Sequence, residues 1–161
     1  MSEAKPRMER SPEESLTTQV HVVLPMHVND HYQLFGGLLM QWIDEVATVA
    51  AKRHAQGNVL TAAVDHLSFL EPVSLGETVE LRARVTYVGR TSMEIRVESW
   101  VEHYGEAKAR KLVNRAYLTM VALDETHRPA EVPLLRLDTE EARQDFEAGR
   151  RRREARRQME L

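Results

Sequence analysis

The stretch from Leu34 to Ala55 constrains the fold of this 161-residue chain more than any other. It reads LFGGLLMQWIDEVATVAAKRHA and predicts one helix, entered at Gly36–Gly37 and left near Gly57. Its apolar residues leave little room for a face toward solvent; they are Leu38, Leu39, Met40, Trp42, Ile43, Val46, Val49 and Ala50. The rest of the domain must therefore wrap around this helix.

The remaining chain supplies strands for this wrapping. Alternating or β-branched sequence predicts strands over 17–24, 59–70, 78–88, 94–104 and 111–124. The connections between them are short, which favours an antiparallel sheet. We therefore expect an α+β fold in which a five-stranded antiparallel sheet curls around one long helix.

The two ends of the chain differ in character from this middle. Residues 1–15 are polar and aperiodic, which predicts a disordered leader before a domain spanning 16–135. Residues 136–161 predict a charged C-terminal helix that starts near Asp138. The arginine run 150–153 is more typical of a solvated helix end than of a binding patch.

Composition excludes several functional classes. The net charge of −3 argues against a nucleic-acid footprint, and no apolar run approaches the roughly 20 residues of a membrane span. The first residues have no signal-peptide pattern. The sequence has no cysteine, which excludes disulfides, thiolate nucleophiles and cysteine metal sites and fits a reducing cytoplasm.

Asp44 is the anomaly of the apolar helix. Helical geometry puts it on a row of apolar and mostly small residues, whereas its neighbour Glu45 belongs to a polar stripe. Burying a carboxylate costs several kcal/mol unless it is paired or hydrogen-bonded. Two interpretations remain open: a structural acid that caps backbone amides of a partner chain, and a catalytic carboxylate in a cleft.

The glycines at the helix start favour the catalytic interpretation. Amide groups of Gly36 and Gly37 at the positive end of the helix dipole can stabilise an oxyanion. Gly37 and Asp44 lie two turns apart on one face, an axial offset of about 10 Å. Since that offset is long for one small reacting group, we expect a second chain to supply a donor.

At these residues the sequence resembles the acyl-CoA thioesterases of the hotdog fold, most closely the single-domain bacterial relatives of brain acyl-CoA hydrolase. The resemblance runs from about 17 to 124 and rests on ordered motifs rather than on any one of them. The motifs are N-x5-F-G-G-x6-D (Asn29 to Asp44), A-x-R-H (51–54), T-x3-D-x3-F (61–69) and G-R-T-S-M-E (89–94).

The resemblance implies how the site works. Asp44 would be the catalytic acid, either activating water or attacking the thioester carbonyl directly. Asn29 would position water or substrate and face the helix of the other protomer. Amides near Gly36 and Gly37 would bind the oxyanion. Acyl-CoA would be hydrolysed to a fatty acid and CoA.

The resemblance also implies partners. Arg90, Thr91 and Ser92 match a segment near the CoA nucleotide, although a plain hairpin turn with a solvated arginine is the alternative. Dimers formed edge to edge, assembled as trimers of dimers, are expected. No cofactor is expected beyond CoA as part of substrate and product. Acyl-chain length is left open, with Leu39, Met40 and Trp42 as candidates for the acyl tunnel.

Other chemistries have less support. His27 and His31 flank Asn29 but lack a metal-binding context, and no G-x-S-x-G elbow is present for a serine hydrolase. His54 is placed at the helix end, where a charged imidazole would favour the dipole. The alternative function is a non-catalytic acyl-CoA-binding or sensing protein of the same fold.

Overall fold

The computed structural model describes residues 6–104 and 109–159. It contains two long helices and seven strands. In chain order they are β1 (Glu9–Arg10), β2 (Thr17–Val22), α1 (Gly36–Ala55), β3 (Asn58–Phe69), β4 (Thr78–Val88), β5 (Ser92–Glu102), β6 (Arg110–Leu123), β7 (Leu134–Leu135) and α2 (Glu140–Met159). Short 3-10 turns cover Pro12–Ser15 and Pro25–His27.

Five strands form one antiparallel sheet in the order β2-β4-β5-β6-β3. The strand β3 therefore lies at one edge of this sheet, as β2 does at the other. A bulge interrupts the β3–β6 pairing between Asp65 and Ser68, where His66 has a φ of 52°. The predicted five-stranded sheet around a long helix is confirmed, and the fold is the hotdog fold.

The core lies between α1 and the concave face of the sheet. Ile43 and Val46 on the helix are buried against strand residues such as Leu81 and Val85. Alternate residues of β4 point inward, and its other face is largely covered as well, since only Arg82 of this strand is exposed. The helix ends at Ala55, close to the predicted exit, but the left-handed conformation expected of Gly57 is adopted by the C-cap residue Gln56, which has a φ of 56°.

The segment before β2 is ordered where a disordered leader was predicted. β1 pairs in parallel with β7, and the Ser15 hydroxyl accepts a 2.9 Å hydrogen bond from the N–H of Val85 in β4. Ser15 is fully buried. A two-residue strand and one 3-10 turn produce no periodicity, so the sequence pattern could not reveal them. Residues 1–5 of the predicted leader lie outside the described residues.

The predicted C-terminal helix is confirmed, but it is not a solvated appendage. α2 lies across the convex face of the sheet and is held there mainly by ion pairs. Arg152 donates two 2.8 Å hydrogen bonds to Glu94 of β5, and its guanidinium lies 3.7 Å from the ring centre of Tyr117 in β6. Asp145 binds Arg84 and Arg96. The interpretation of 150–153 as a solvated end holds for Arg150 but not for Arg152.

Candidate active site

Asp44 lies on the side of α1 that faces the edge strand β3. The hydroxyl of Thr61 in β3 donates a 2.6 Å hydrogen bond to Asp44 Oδ1 and lies 3.2 Å from the Met120 sulfur. Asp44 is exposed in the single chain. A second chain is expected at this helix from the sequence, so burial of Asp44 between two chains stays a prediction; within one chain, only Ala47 and Ala51 of its row reach the core.

Thr61 is the site residue that sequence reasoning missed. It stood in one of the motifs that carried the resemblance, but no role was assigned to it. Its position in β3 brings its hydroxyl against Asp44, seventeen residues away in the chain. A neutral donor bound to one carboxylate oxygen orients the carboxyl and leaves the second oxygen for other chemistry.

Asn29 occupies the turn that leads into α1. Its side-chain oxygen accepts hydrogen bonds from the backbone N–H groups of His31 (2.9 Å) and Gln33 (3.2 Å). The N–H of Asn29 in turn donates to the carbonyl of Gln33 at 2.8 Å. Because both lone pairs of its side-chain oxygen are engaged, Asn29 can act on a ligand only as a donor through Nδ2.

The start of α1 has uncovered amides. Phe35 occupies the N-cap position without a capping side-chain hydrogen bond, and its carbonyl accepts the N–H groups of Leu38 and Leu39. The N–H groups of Gly36 and Gly37 come before the first intrahelical bonds. A Cβ on residue 37 would lie 2.6 Å from the ring of Phe35, so glycine at this position leaves room for the ring beside the first turn of the helix.

The structure does not bring all predicted residues of one chain together. Asn29, Gly36 and Gly37 lie at the start of α1, whereas Asp44 lies two turns along it, about 10 Å away along the axis. One carbonyl group cannot contact both ends at once.

The turn that carries Arg90, Thr91 and Ser92 connects β4 with β5. Arg90 is exposed and its guanidinium pairs with Glu131 at 3.1 Å. Ser92 pairs with Val121 of β6, and the next residue, Met93, pairs with Met120. The Met120 sulfur in turn contacts the Thr61 hydroxyl. Arg7 was not singled out in the sequence, yet its guanidinium bonds the carbonyl of Gly89 at 3.0 Å and braces this turn.

His27 and His54 contact other protein groups. Within residues 6–104 and 109–159, no group of three or more potential ligands is placed to hold a metal ion. His27 accepts the N–H of Leu24 through Nδ1 and meets the Trp42 ring edge-on. Burial lowers the pKa of His54, whose Nε2 is 2.8 Å from the Pro133 carbonyl. The prediction that His54 acts as a charge at the helix end is thus wrong, because a buried imidazole favours its neutral form.

The comparisons with known proteins agree with this geometry. A model of the thioesterase superfamily matches residues 33–108 of the chain. An uncharacterised acyl-CoA thioester hydrolase of Bacillus subtilis is 39% identical over 128 residues, which are 80% of this chain and 74% of the relative. The chain belongs to the thioesterase superfamily.

Solved structures of related thioesterases cover nearly the whole chain. An apo-hexameric acyl-CoA thioesterase matches with a TM-score of 0.91 and 35% identity, covering 96% of this chain and 98% of the other. An acyl-CoA hydrolase of Staphylococcus aureus, solved with butyryl-CoA, CoA and CoA disulfide, matches with a TM-score of 0.87 and 33% identity over 94% of each chain. Alanine mutants of that hydrolase replace an asparagine, an aspartate and a threonine.

This thioesterase is similar to bacterial acyl-CoA thioester hydrolases, and the resemblance noted in its sequence is confirmed. None of its helices within the described residues is long and apolar enough to span a bilayer.

Proposed function

We propose that the thioesterase hydrolyses fatty acyl-CoA to a free fatty acid and CoA at a site built from two chains, with Asp44 as its base or nucleophile. The observation that carries this proposal is the position of Asp44, which is exposed beside an edge strand and bonded to that strand through Thr61. Within one chain, the helix-start amides that an oxyanion needs lie about 10 Å from this carboxyl along the helix axis.

Pairing of two β3 edges would supply the missing donors. α1 runs antiparallel to β3, because Asp44 contacts Thr61 near the start of the strand and Gly36 lies against Phe69 at its end. A two-fold axis through the middle of the paired strands sets the start of one beside the end of the other. Each Asp44 then approaches the partner's Gly36, Gly37 and Asn29.

The chemistry follows from this arrangement. The carbonyl oxygen of the thioester accepts hydrogen bonds from the partner's helix-start amides, which stabilise the developing oxyanion. Asp44 takes a proton from an attacking water, or attacks the carbonyl carbon itself and forms an anhydride that water then hydrolyses. The C–S bond breaks, the electron pair leaves with sulfur, and the CoA thiolate gains a proton.

The mutated residues of the S. aureus hydrolase support these assignments. They are of the same types as Asn29, Asp44 and Thr61, and each carries a residue number one lower. A relative described as hexameric supports a trimer of dimers for this chain as well. We extend the proposal to Arg90, Thr91 and Ser92 as the segment that meets the CoA phosphates, and to a cytoplasmic location.

Release of CoA, followed with a thiol reagent, tests the role of Asp44. We expect Asp44→Asn to lower kcat by at least about 100-fold, because it removes the base or nucleophile while keeping the Thr61 hydrogen bond. Glu45→Gln is the matched control, since Glu45 is the neighbouring exposed acid and bonds only Gln41 of its own helix turn. An unchanged rate in Asp44→Asn would refute the mechanism.

Mixing two inactive variants tests whether the site is shared. Chains carrying Asp44→Asn and chains carrying Asn29→Ala are dissociated, mixed and reassembled. A hybrid dimer then contains one site with both residues intact, so about a quarter of the wild-type activity should return for random two-fold pairing. No recovery above the separate variants would place the site within one chain.

A further inference from the structure

The Thr61 hydroxyl lies between two acceptors that differ in charge. Asp44 Oδ1 is 2.6 Å from the Thr61 oxygen, and the Met120 sulfur of the neighbouring strand β6 is 3.2 Å from it. A hydroxyl carries one proton, so Thr61 can donate to only one of these atoms at a time. The carboxylate is the stronger acceptor, because hydrogen bonds to ionised groups are about twice as strong as neutral ones. The proton therefore points to Asp44 while Asp44 is ionised.

The sheet places the Met120 side chain beside this hydroxyl. Thr61 and Met120 are direct partners in the β3–β6 pairing, so their side chains project from the same face of the sheet, toward α1. A bulge follows Thr61, with Ala62 as the extra residue before the next pair, and a bulge changes the direction in which neighbouring side chains point. Met120 is 0% exposed and belongs to the core, so its thioether is shielded from water.

Filling the core does not by itself require methionine at position 120. Leucine has a similar volume, and exchanges between leucine and methionine in a core usually cost little stability. Methionine adds a sulfur atom, a weak hydrogen-bond acceptor, at bonding distance from a hydroxyl that already binds the proposed base or nucleophile. Leu118, two residues earlier in β6, is also a core residue at 1% exposed, but its side chain contains only carbon and hydrogen.

The hydrogen bond from Thr61 to Asp44 would slow the reaction if the hydroxyl had no other acceptor. It stabilises the carboxyl most when the carboxyl is charged. Asp44 loses this charge in both routes of the proposed function, since it either takes a proton from water or forms a bond to the carbonyl carbon. An interaction that is stronger in the ground state than in the transition state raises the barrier. A second acceptor beside the hydroxyl reduces this loss.

We propose that Met120 is a positioning residue whose sulfur accepts the hydrogen bond of Thr61 as Asp44 loses its negative charge. The proposal rests on the proposed function, since it needs Asp44 to react as base or nucleophile. The hydroxyl turns about the Cβ–Oγ1 bond of Thr61, so its O–H bond stays intact and neither a proton nor an electron pair passes to sulfur. When the thiol product has left and Asp44 is ionised again, the hydroxyl turns back to Oδ1.

Met120→Leu, measured in single turnovers with enzyme in excess over octanoyl-CoA, tests this. We expect the maximal rate constant to fall about 3-fold, because an interaction of the transition state is lost. The enzyme concentration that gives half of this rate should stay within about 1.5-fold, because the sulfur does not contact the substrate. Leu118→Met is the matched control, since it makes the reverse exchange on the same strand face, and its rate constant should stay within about 1.5-fold. Circular dichroism and elution volume check that the variants stay folded and assembled.

Two Thr61 variants separate the role of the sulfur from packing. Thr61→Val removes the hydroxyl, so adding Met120→Leu should then change the rate constant by less than about 1.5-fold. Thr61→Ser keeps the hydroxyl, so adding Met120→Leu should again lower the rate constant about 3-fold.

Three results would show that Met120 only fills the core. They are an unchanged rate in Met120→Leu, an equal loss in Leu118→Met, and the same loss from Met120→Leu in the Thr61→Val background. Each of them leaves the proposed function intact, because Asp44 can react without help from the sulfur. An active Asp44→Asn variant, in contrast, overturns the proposed function whatever the Met120 variants show.

Discussion

The two long helices have the same length, twenty residues, yet they are held to opposite faces of the sheet by different forces. α1 lies on the concave face and buries Trp42, Ile43 and Val46. α2 lies on the convex face, where only Ala142 and Gly149 of its residues are buried. The first helix is fixed by apolar packing and the second by ion pairs to the strands beneath it.

This difference shows that a polar helix can be an integral part of a small domain. Glu94, in β5, is 6% exposed and accepts hydrogen bonds from Arg152 and from the Thr86 hydroxyl. Asp145 bridges Arg84 and Arg96. Burial alone would lower the pKa of Arg84, but its hydrogen bonds and charge pairing with Asp145 and Glu141 raise it. Such ion pairs stabilise the protein only when both partners are present, because a buried charge without its partner costs free energy.

Ile43→Ala tests the apolar side of the comparison and should have the largest effect. Ile43 is 1% exposed, so the truncation leaves a cavity in the core. We expect a loss of about 4 kcal/mol in the free energy of unfolding, measured by denaturant titration at a fixed protein concentration. Lys52→Ala, at an exposed position of the same helix, should stay within about 0.5 kcal/mol. Similar losses for both variants would contradict the assignment of Ile43 to the core.

Arg152→Met tests the ionic side. The variant keeps the apolar stem but leaves Glu94 buried without its cation, so we expect a loss of about 3 kcal/mol in the same titration. Adding Glu94→Leu should restore more than half of this loss. Arg150→Ala is the control on the same helix, because its partners Glu147 and Glu154 are exposed and the pair should contribute below about 1 kcal/mol. Equal effects of Arg150 and Arg152 would show that α2 is not anchored by Glu94.

Gly149→Ala tests how closely α2 approaches the sheet. A Cβ at this position would lie 2.5 Å from the Tyr87 Cβ and 2.9 Å from Glu94 Oε1. Although alanine favours a helix by about 1 kcal/mol, we expect a net loss of about 2 kcal/mol from the clash, read as a lower denaturation midpoint. Ala155→Gly, at an exposed position of α2, is the control for propensity alone. A more stable Gly149→Ala protein would mean that the helix lies farther from β4.

His54 at the end of α1 gives the smallest effect, visible as a pH dependence. Burial lowers its pKa in the folded protein, so the unfolded chain binds a proton first as the pH falls below about 6.5. Stability contributed by neutral His54 is therefore present above that pH and is lost below it, with a slope of at most about 1.4 kcal/mol per pH unit. His54→Gln should flatten the difference between pH 7.5 and 5.5. Burial also lowers the pKa of His21, and its contribution to the pH dependence of stability is the same in both proteins. An unchanged slope would contradict the role of His54.

The sequence was most informative where a local pattern reports a local structure. The apolar stretch 34–55 predicted α1, and alternation over 78–88 predicted β4 with its observed bounds. Spacing along one helix also showed that Gly37 and Asp44 are too far apart for one reacting group. Such inferences need only the periods of helix and strand.

Contacts between distant segments could not be predicted in this way. The hydrogen bond from Thr61 to Asp44 and the ion pair between Arg152 and Glu94 depend on how elements pack, and no spacing in the chain encodes them. The burial of Asp44 between two chains stays a prediction for a related reason, because an apolar row does not reveal whether its own chain or another one covers it. The site roles of Asn29, Gly37 and Arg90 stay predictions.

The position of Asp44 beside an edge strand links chemistry to self-association. If two chains must meet before the carboxyl of Asp44 and the oxyanion-binding amides face one substrate, each subunit that dissociates takes half of two sites with it. Specific activity would then fall on dilution, and dilute assays would underestimate turnover unless enzyme concentration is varied. A substrate that bridges both chains would slow this decay, so preincubation with acyl-CoA should protect a dilute sample.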